Sequence, residues 1–230
     1  ISSNSSATCQ GGIIKLIYDT LSNTLLACGS FCNSINFNGS TISSLTASTD
    51  GFVAKLDLDG HLIWIQEIVG SGVDYVRGIG YDSTDNIFII GSNSLLSKID
   101  SITIPNGVFI AKIGSNGNLN WVKNVSGQGD YPGSIAFNPS ELKVGNNSFY
   151  ISGGTSNDTL LMDSVLFANP NRFGTLIAKF SLAGNLEWAK ITGYAFSVSF
   201  GYSMALDDYE NLYFTSTFSD SAIFDSLTIY

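Results

Sequence analysis

Charged side chains are scarce in this chain. Only 13% of its 230 residues are Asp, Glu, Lys or Arg, against 44% hydrophobic. Hydroxyl and amide groups must therefore carry its solubility, with the net charge of −9 adding repulsion between molecules. The ten Lys and Arg are scattered singly, and the pI is about 4.3. No basic cluster exists to neutralise a row of phosphates, which argues against a nucleic-acid partner. Long apolar runs are missing as well. The longest, such as Ile87-Phe-Ile-Ile90, are strand-sized and interrupted by glycine, far short of the roughly 20 residues that span a bilayer. No helical stripe is evident, and the chain starts at Ile1 without a methionine or a charged-then-apolar leader. That start reads as a processed or excerpted sequence.

Histidine and cysteine are also rare. The single histidine, His61, rules out multi-histidine metal catalysis and would leave a Ser-His-Asp triad resting on one solvent-facing turn residue. Cys9, Cys28 and Cys32 allow at most one internal disulfide and leave one thiol over. A bridge from Cys9 to Cys28 or Cys32 would pin the N-terminus; the alternative is three buried or inert thiols. The spacing Cys28-x3-Cys32 lacks the ligands of a zinc site.

What the chain has in abundance is repetition. Gly51-Phe-Val-Ala-Lys-Leu-Asp57 with Leu62-Ile-Trp64 returns as Val108-Phe-Ile-Ala-Lys-Ile113 with Leu119-Asn-Trp121. It returns again as Thr175-Leu-Ile-Ala-Lys-Phe180 with Leu186-Glu-Trp188. An independent phrase, Phe37-Asn-Gly-Ser-Thr-Ile42, recurs as Ile99-Asp-Ser-Ile-Thr-Ile104, Met162-Asp-Ser-Val-Leu-Phe167 and Phe224-Asp-Ser-Leu-Thr-Ile229, at spacings of 62, 63 and 62 residues. A fixed period of this size marks a tandem array. The 24 glycines and 20 asparagines are spread evenly, so 1–230 reads as one array. Its units run approximately over 11–69, 70–125, 126–191 and an incomplete 192–230.

Each unit holds short runs of Ile, Val, Phe and Tyr bounded by Gly, Asn, Asp and Ser, which is strand-and-turn patterning. The second predicts strands near Val76–Tyr81, Ile87–Gly91, Ile99–Ile104 and Val108–Ile113, the last turning into Leu119–Lys123. Gly60, Gly117 and Gly184 sit at one point of that hairpin, where a positive φ is needed. The third unit is expected to carry an insertion at Asn138–Asn147. Four or five antiparallel strands cannot bury both faces of their own sheet, so units must stack. Trp64, Trp121 and Trp188 are the natural wedges, each able to bury some 150 to 250 Å². Radial stacking gives an all-β propeller; a linear solenoid is the alternative.

The phrases Gly78-Ile-Gly-Tyr-Asp82…Asn86-Ile-Phe-Ile-Ile-Gly91 and Gly51 to Trp64 resemble the bacterial β-propeller repeats known as SBBP repeats, over nearly the whole chain after Gly11. The resemblance implies a secreted or cell-surface protein, often beside adhesion modules, with no common catalytic motif.

Chemical motifs are sparse. Asp57-Leu-Asp59-Gly60 looks like the start of a calcium loop, but its counterparts Gly114-Ser-Asn116-Gly117 and Ser181-Leu-Ala183-Gly184 keep the glycine and lose the acids. A turn explains this better than a metal. The same holds for the acidic loop Asp207, Asp208 and Glu210. Lys55, Lys112 and Lys179 sit between apolar neighbours, where the stem would pack against the adjacent sheet and the ammonium reach an edge or a carboxylate. No acid stands in an apolar run where burial would raise its pKa. Sequons at Asn4, Asn38, Asn124, Asn146 and Asn157 permit glycosylation.

In a propeller the loops entering each innermost strand gather on one face, here Gly70–Arg77, Gly127–Gly133 and Gly193–Gly201. They bring Asp74, Tyr75, Arg77, Asp130 and Tyr131 forward as binding candidates. The expected function is a non-enzymatic adhesion, interaction or assembly module with a protein or glycan partner and no cofactor. The alternatives are a lectin-like propeller, a polysaccharide hydrolase or lyase, or a quinoprotein-like propeller. Because the fourth copy of the second phrase, Phe224–Ile229, lacks a following Ala-Lys-Trp hairpin, the polypeptide is expected to continue past Tyr230. Otherwise a neighbouring subunit would supply strands by β-augmentation, which allows self-association into a filament.

Overall fold

The computed structural model describes residues 2–4, 11–44, 48–126, 137–155, 159–162, 165–168, 173–194, 201–217, 222–224 and 227–229. None of them is helical. The first blade is the meander β2 (Gly12–Asp19), β3 (Thr24–Phe31), β6 (Asp50–Leu56) and β7 (Leu62–Gly70), preceded by β1 (Ser2–Asn4) and interrupted by the hairpin β4 (Ser34–Phe37) and β5 (Ser40–Ser43). The second repeats this plan with β8 (Asp74–Tyr81), β9 (Ile87–Asn93), β12 (Gly107–Ile113) and β13 (Leu119–Ser126), and with the hairpin β10 (Ser97–Ile99) and β11 (Ile102–Ile104). The third has β14 (Phe137–Val144), β15 (Ser148–Thr155), β18 (Phe173–Ser181) and β19 (Leu186–Tyr194), with the hairpin β16 (Thr159–Met162) and β17 (Val165–Ala168). A fourth unit contributes β20 (Gly201–Leu206), β21 (Leu212–Ser216), and the hairpin β22 (Ala222–Phe224) and β23 (Leu227–Ile229). The molecule is an all-β array of propeller blades.

Two details differ from the sequence reading. The phrase Ile99–Ile104 is not one strand. It turns at Asp100, whose φ is +52°, and Ile99 pairs with Ile102. Its first-blade counterpart turns at Asn38-Gly39, with φ of +41° and +104°, and Asn-Gly favours such tight hairpins because both residues tolerate positive φ. The expected insertion at Asn138–Asn147 is also absent. Residues 137–144 form the innermost strand, and only Gly145–Asn147 separates it from β15. The longer connection is the one before it, residues 127–136, against 71–73 in the preceding blade.

Two of the inserted hairpins tie one blade to the next. β10 pairs with β7 and β22 with β19, so a hairpin from each of these blades lengthens the sheet of the blade before it to six strands. Each innermost strand is bulged at one place, namely Ile14, Arg77, Ser140 and Tyr202, at intervals of 63, 63 and 62 residues. Opposite three of these bulges stand Gly29, Gly91 and Gly153. A Cβ there would lie 2.1 Å from Gly12 O, 2.3 Å from the Phe109 ring and 2.1 Å from Asn138 O. Only glycine permits that approach.

Two of the three core clusters lie between blades, and the third, around Phe31, Phe37 and Phe52, lies within the first. Leu26, Cys28 and Val53 of the first blade pack against Val76, Ile79 and Ile89 of the second. Phe88 of the second meets Phe149 at 5.2 Å between ring centroids, and Phe149 stacks on Phe180 at 5.3 Å. Trp64 covers Gly117 of the next blade, and Trp121 covers Gly184 in the same way. Trp64 Nε1 also donates to Ser115 O at 3.0 Å. The repeated glycine therefore serves twice, supplying a positive φ and leaving a bare surface for the preceding tryptophan.

Candidate functional site

Two of the three repeated lysines act at the turns that join the first two strands of a blade. Lys55 reaches Asp19 of its own blade at 3.3 Å and Asp85 of the next at 2.9 Å, and Lys112 reaches Asp82 at 3.3 Å. The third blade has Gly145 where the others have an acid, and Lys179 pairs instead with Glu187 at 3.0 Å on the adjacent strand. Across the innermost strands Lys15 of the first blade bonds Glu141 of the third. The blade between them has Gly78 at the equivalent position, where a Cβ would sit 2.9 Å from Leu142.

Three turn acids, Asp19, Asp82 and Asp207, are held below the ordinary carboxylate range. Burial pushes the Asp82 carboxyl up, but donors from the Asn86 and Thr84 side chains and backbone outweigh it and bring it down to about 2. Asp19 is lowered to about 2 in the same way, burial being opposed chiefly by Ser22. Asp207 is lowered by Asn211 and by the backbone of its own turn. Glu210 accepts the backbone N–H groups of Asn146 and Asn147 from the neighbouring blade. Turns from four blades thus converge, and they enclose an open cavity of about 360 Å³ whose lining includes Thr20, Tyr81, Asp82, Asn146, Asp207 and Asp208. The sequence carried a signal for this place in the repeated Asp…Asn turns, Asp82 with Asn86 and Asp207 with Asn211, but loop logic pointed to the opposite end.

At that opposite end the structure brings Asp74, Tyr75 and Arg77 together on β8. Asp130 and Tyr131 lie outside the described residues. The Arg77 guanidinium stands 4.6 Å from the Tyr75 ring centroid, and burial lowers its pKa against a raising influence from Tyr75. Asp74 is fully buried. Ser97 Oγ donates to its Oδ1 at 2.6 Å, and its Oδ2 has no hydrogen-bond partner. Burial, with a smaller push from Asp50, raises its carboxyl to about 7 although Ser97 opposes the shift. This corrects the expectation that no acid is perturbed by burial. Asp74 opens a strand, and its seclusion comes from β10 of the inserted hairpin, which local sequence does not reveal.

Of the cysteines, Cys32 is disulfide-bonded, Cys28 is free and buried with its thiol pushed up to about 12 by burial, and Cys9 lies outside the described residues. Asp57, Asp59 and His61 bring one donor atom each within 4.8 Å of one another. Asp57 already accepts His61 N at 2.8 Å and lies 2.9 Å from its Nδ1, so the turn engages its own acid. Among the sequons, Asn38 and Asn146 are exposed, while Asn124 donates its amide to Pro105 O at 3.0 Å. The side chain of Asn4 and the whole of Asn157 fall outside the described residues.

No family model matches the sequence. An uncharacterized WD repeat-containing protein of Acanthamoeba polyphaga mimivirus is 24% identical over 180 residues, or 67% of this chain and 13% of that protein. The chain thus spans about an eighth of that relative's length. A solved protein of unknown function from Bacteroides caccae aligns with a TM-score of 0.42 at 9% identity, covering 88% of this chain and 52% of that one. Blade stacking, interleaved hairpins and likeness to a WD repeat-containing protein agree on one description: the chain is a β-propeller repeat protein.

Proposed function

We propose that the chain is a non-enzymatic binding module of the SBBP type, part of a secreted or cell-surface protein, serving adhesion, protein recognition or extracellular assembly. The observation that carries this reading is the cavity of about 360 Å³ at the turn end, to which turns of four blades contribute. Asp82 and Asp207 are fixed by their own turns, which hold both carboxyls below the ordinary range, so they offer a rigid anionic surface and are poorly suited to proton transfer. The chemistry fits a protein loop bearing Lys or Arg. Asp74, the acid with a pKa suited to catalysis, is sealed from solvent and has no access to a substrate.

Selection of a displayed peptide library on the wild-type protein tests the reading, with Asp208→Lys as counter-target. Lys- and Arg-bearing peptides should be enriched on the wild type and lost on the variant, with binding that weakens as salt rises. Enrichment indifferent to Asp208→Lys would refute the protein-binding reading, and strong glycan-array signals would favour a lectin. Surface biotinylation of the producing cells tests the location.

A further inference from the structure

The cavity at the turn end continues inward, and the continuation holds a lysine that the repeat does not call for. Thr20, Ser83, Asn146 and Asp208 are equivalent, each six residues past the bulge of its innermost strand, and all four line the turn-end cavity. Three residues nearer the bulges stand Ile17, Gly80 and Lys143, which line a second cavity of about 320 Å³. Tyr81 and Val144 line both cavities, so the two form one groove. The walls of its inner part are apolar, with Ile17, Ile79 and Leu142, and Lys143 is the charged residue among them.

Lys143 takes a place that Ile17, Gly80 and Ala205 hold in the other units. It is half-buried, and its ammonium makes no hydrogen bond or ion pair among the described residues. Lys15, Lys55, Lys112 and Lys179 all reach carboxylates. An ammonium partly withdrawn from water beside apolar walls has lost solvation that no partner returns, and an incoming carboxylate would return it through a charge-assisted hydrogen bond.

The opposite charge stands at the mouth. Asp82 is already paired with Lys112, which leaves Asp207 and Asp208 as the anionic end of the groove. Asp207 is two strand positions from the level of Lys143, a rise of about 7 Å. Two positions further inward, the ion pair of Lys15 with Glu141 joins the first blade to the third across Gly78 and closes the groove at that level. A groove that is anionic at its mouth, cationic within and closed beyond suits the end of a chain rather than its middle.

We propose, resting on the reading of this cavity as a protein-binding site, that the groove binds the C-terminus of a partner protein. The terminal carboxylate pairs with the Lys143 ammonium, the last side chain lies among Ile17, Ile79 and Leu142, and a Lys or Arg two residues earlier meets Asp207 and Asp208. An extended peptide rises by the same step per residue as the strands that line the groove, which sets that spacing.

Fluorescence polarisation with the whole protein tests the proposal. The probe is a labelled pool of short peptides with Arg third from the end, two apolar residues after it and a free terminal carboxylate. The same pool capped as the amide should bind at least about tenfold more weakly, as expected for loss of a hydrogen bond between charged groups. Lys143→Gln should abolish the difference between acid and amide, and Lys143→Arg should keep it. Equal affinity of the two pools for the wild type would overturn the proposal, as would equally tight binding of an amide-capped pool carrying an internal Glu, which would mean a side-chain carboxylate. Both results leave the underlying reading standing as long as Asp208→Lys weakens the Arg-bearing pools; affinity indifferent to Asp208→Lys, or no binding of any pool, would sink both.

Discussion

Asp74→Asn should stabilise this protein at neutral pH and do little in acid. The Asp74 carboxyl moves from 3.8 to about 7 on folding. Between those values the folded state holds a proton that the unfolded state has released, so stability falls as pH rises through the window and is level above it. A shift of about 3 pH units corresponds to at most about 4 kcal/mol. Relaxation around Asp50 would leave about 2 to 4 kcal/mol to be seen. The asparagine keeps an oxygen for Ser97 and places a donor where Oδ2 has no hydrogen-bond partner. Urea denaturation followed by tryptophan fluorescence at about pH 4.5 and about pH 8 reads the difference. The wild type should weaken between the two and Asp74→Asn should not. A wild type indifferent to pH in this range, or the same gap between the proteins at both pH values, would refute the reasoning.

Other perturbations follow from the turns and bulges. Lys55→Met leaves Asp19 buried without its cation and should cost about 3 to 5 kcal/mol in urea denaturation, while Lys179→Met, whose pair with Glu187 is partly exposed, should cost at most about 1 kcal/mol. Asp82 has a folded pKa of about 2 against 3.8 unfolded, so it stabilises the fold above about pH 4, and this contribution, about 2 kcal/mol, is lost as pH falls toward 2. In acid titrations Asp82→Asn should show a correspondingly shallower loss of stability. Gly91→Ala would place a methyl 2.3 Å from the Phe109 ring and 2.4 Å from Tyr75 O. It should cost at least about 2 kcal/mol by chemical denaturation, and a neutral result would mean the bulge is not the tight point it is taken to be.

Repetition let the sequence by itself determine the architecture. A phrase returning every 62 or 63 residues, with alternating apolar residues and a turn glycine, admits stacked antiparallel units and little else. The role of the Ala-Lys lysines was legible in part, because an ammonium in an apolar strand must reach an edge or a carboxylate, and the structure selects the carboxylate. Partnership between units was hidden. That Lys55 also pairs with the next blade, that Asp74 is sealed by a hairpin beginning at Ser97, and that β10 belongs to the sheet of the blade before it are contacts between segments far apart in the chain. The Ile99–Ile104 phrase shows the limit most plainly. Its apolar pattern reads equally well as one strand or as two halves of a hairpin, and a positive φ at Asp100 decides. Local chemistry set the period and the turns; the tertiary structure alone chose which edges meet, because hydrogen-bonding edges and apolar faces carry no address until neighbouring blades dock.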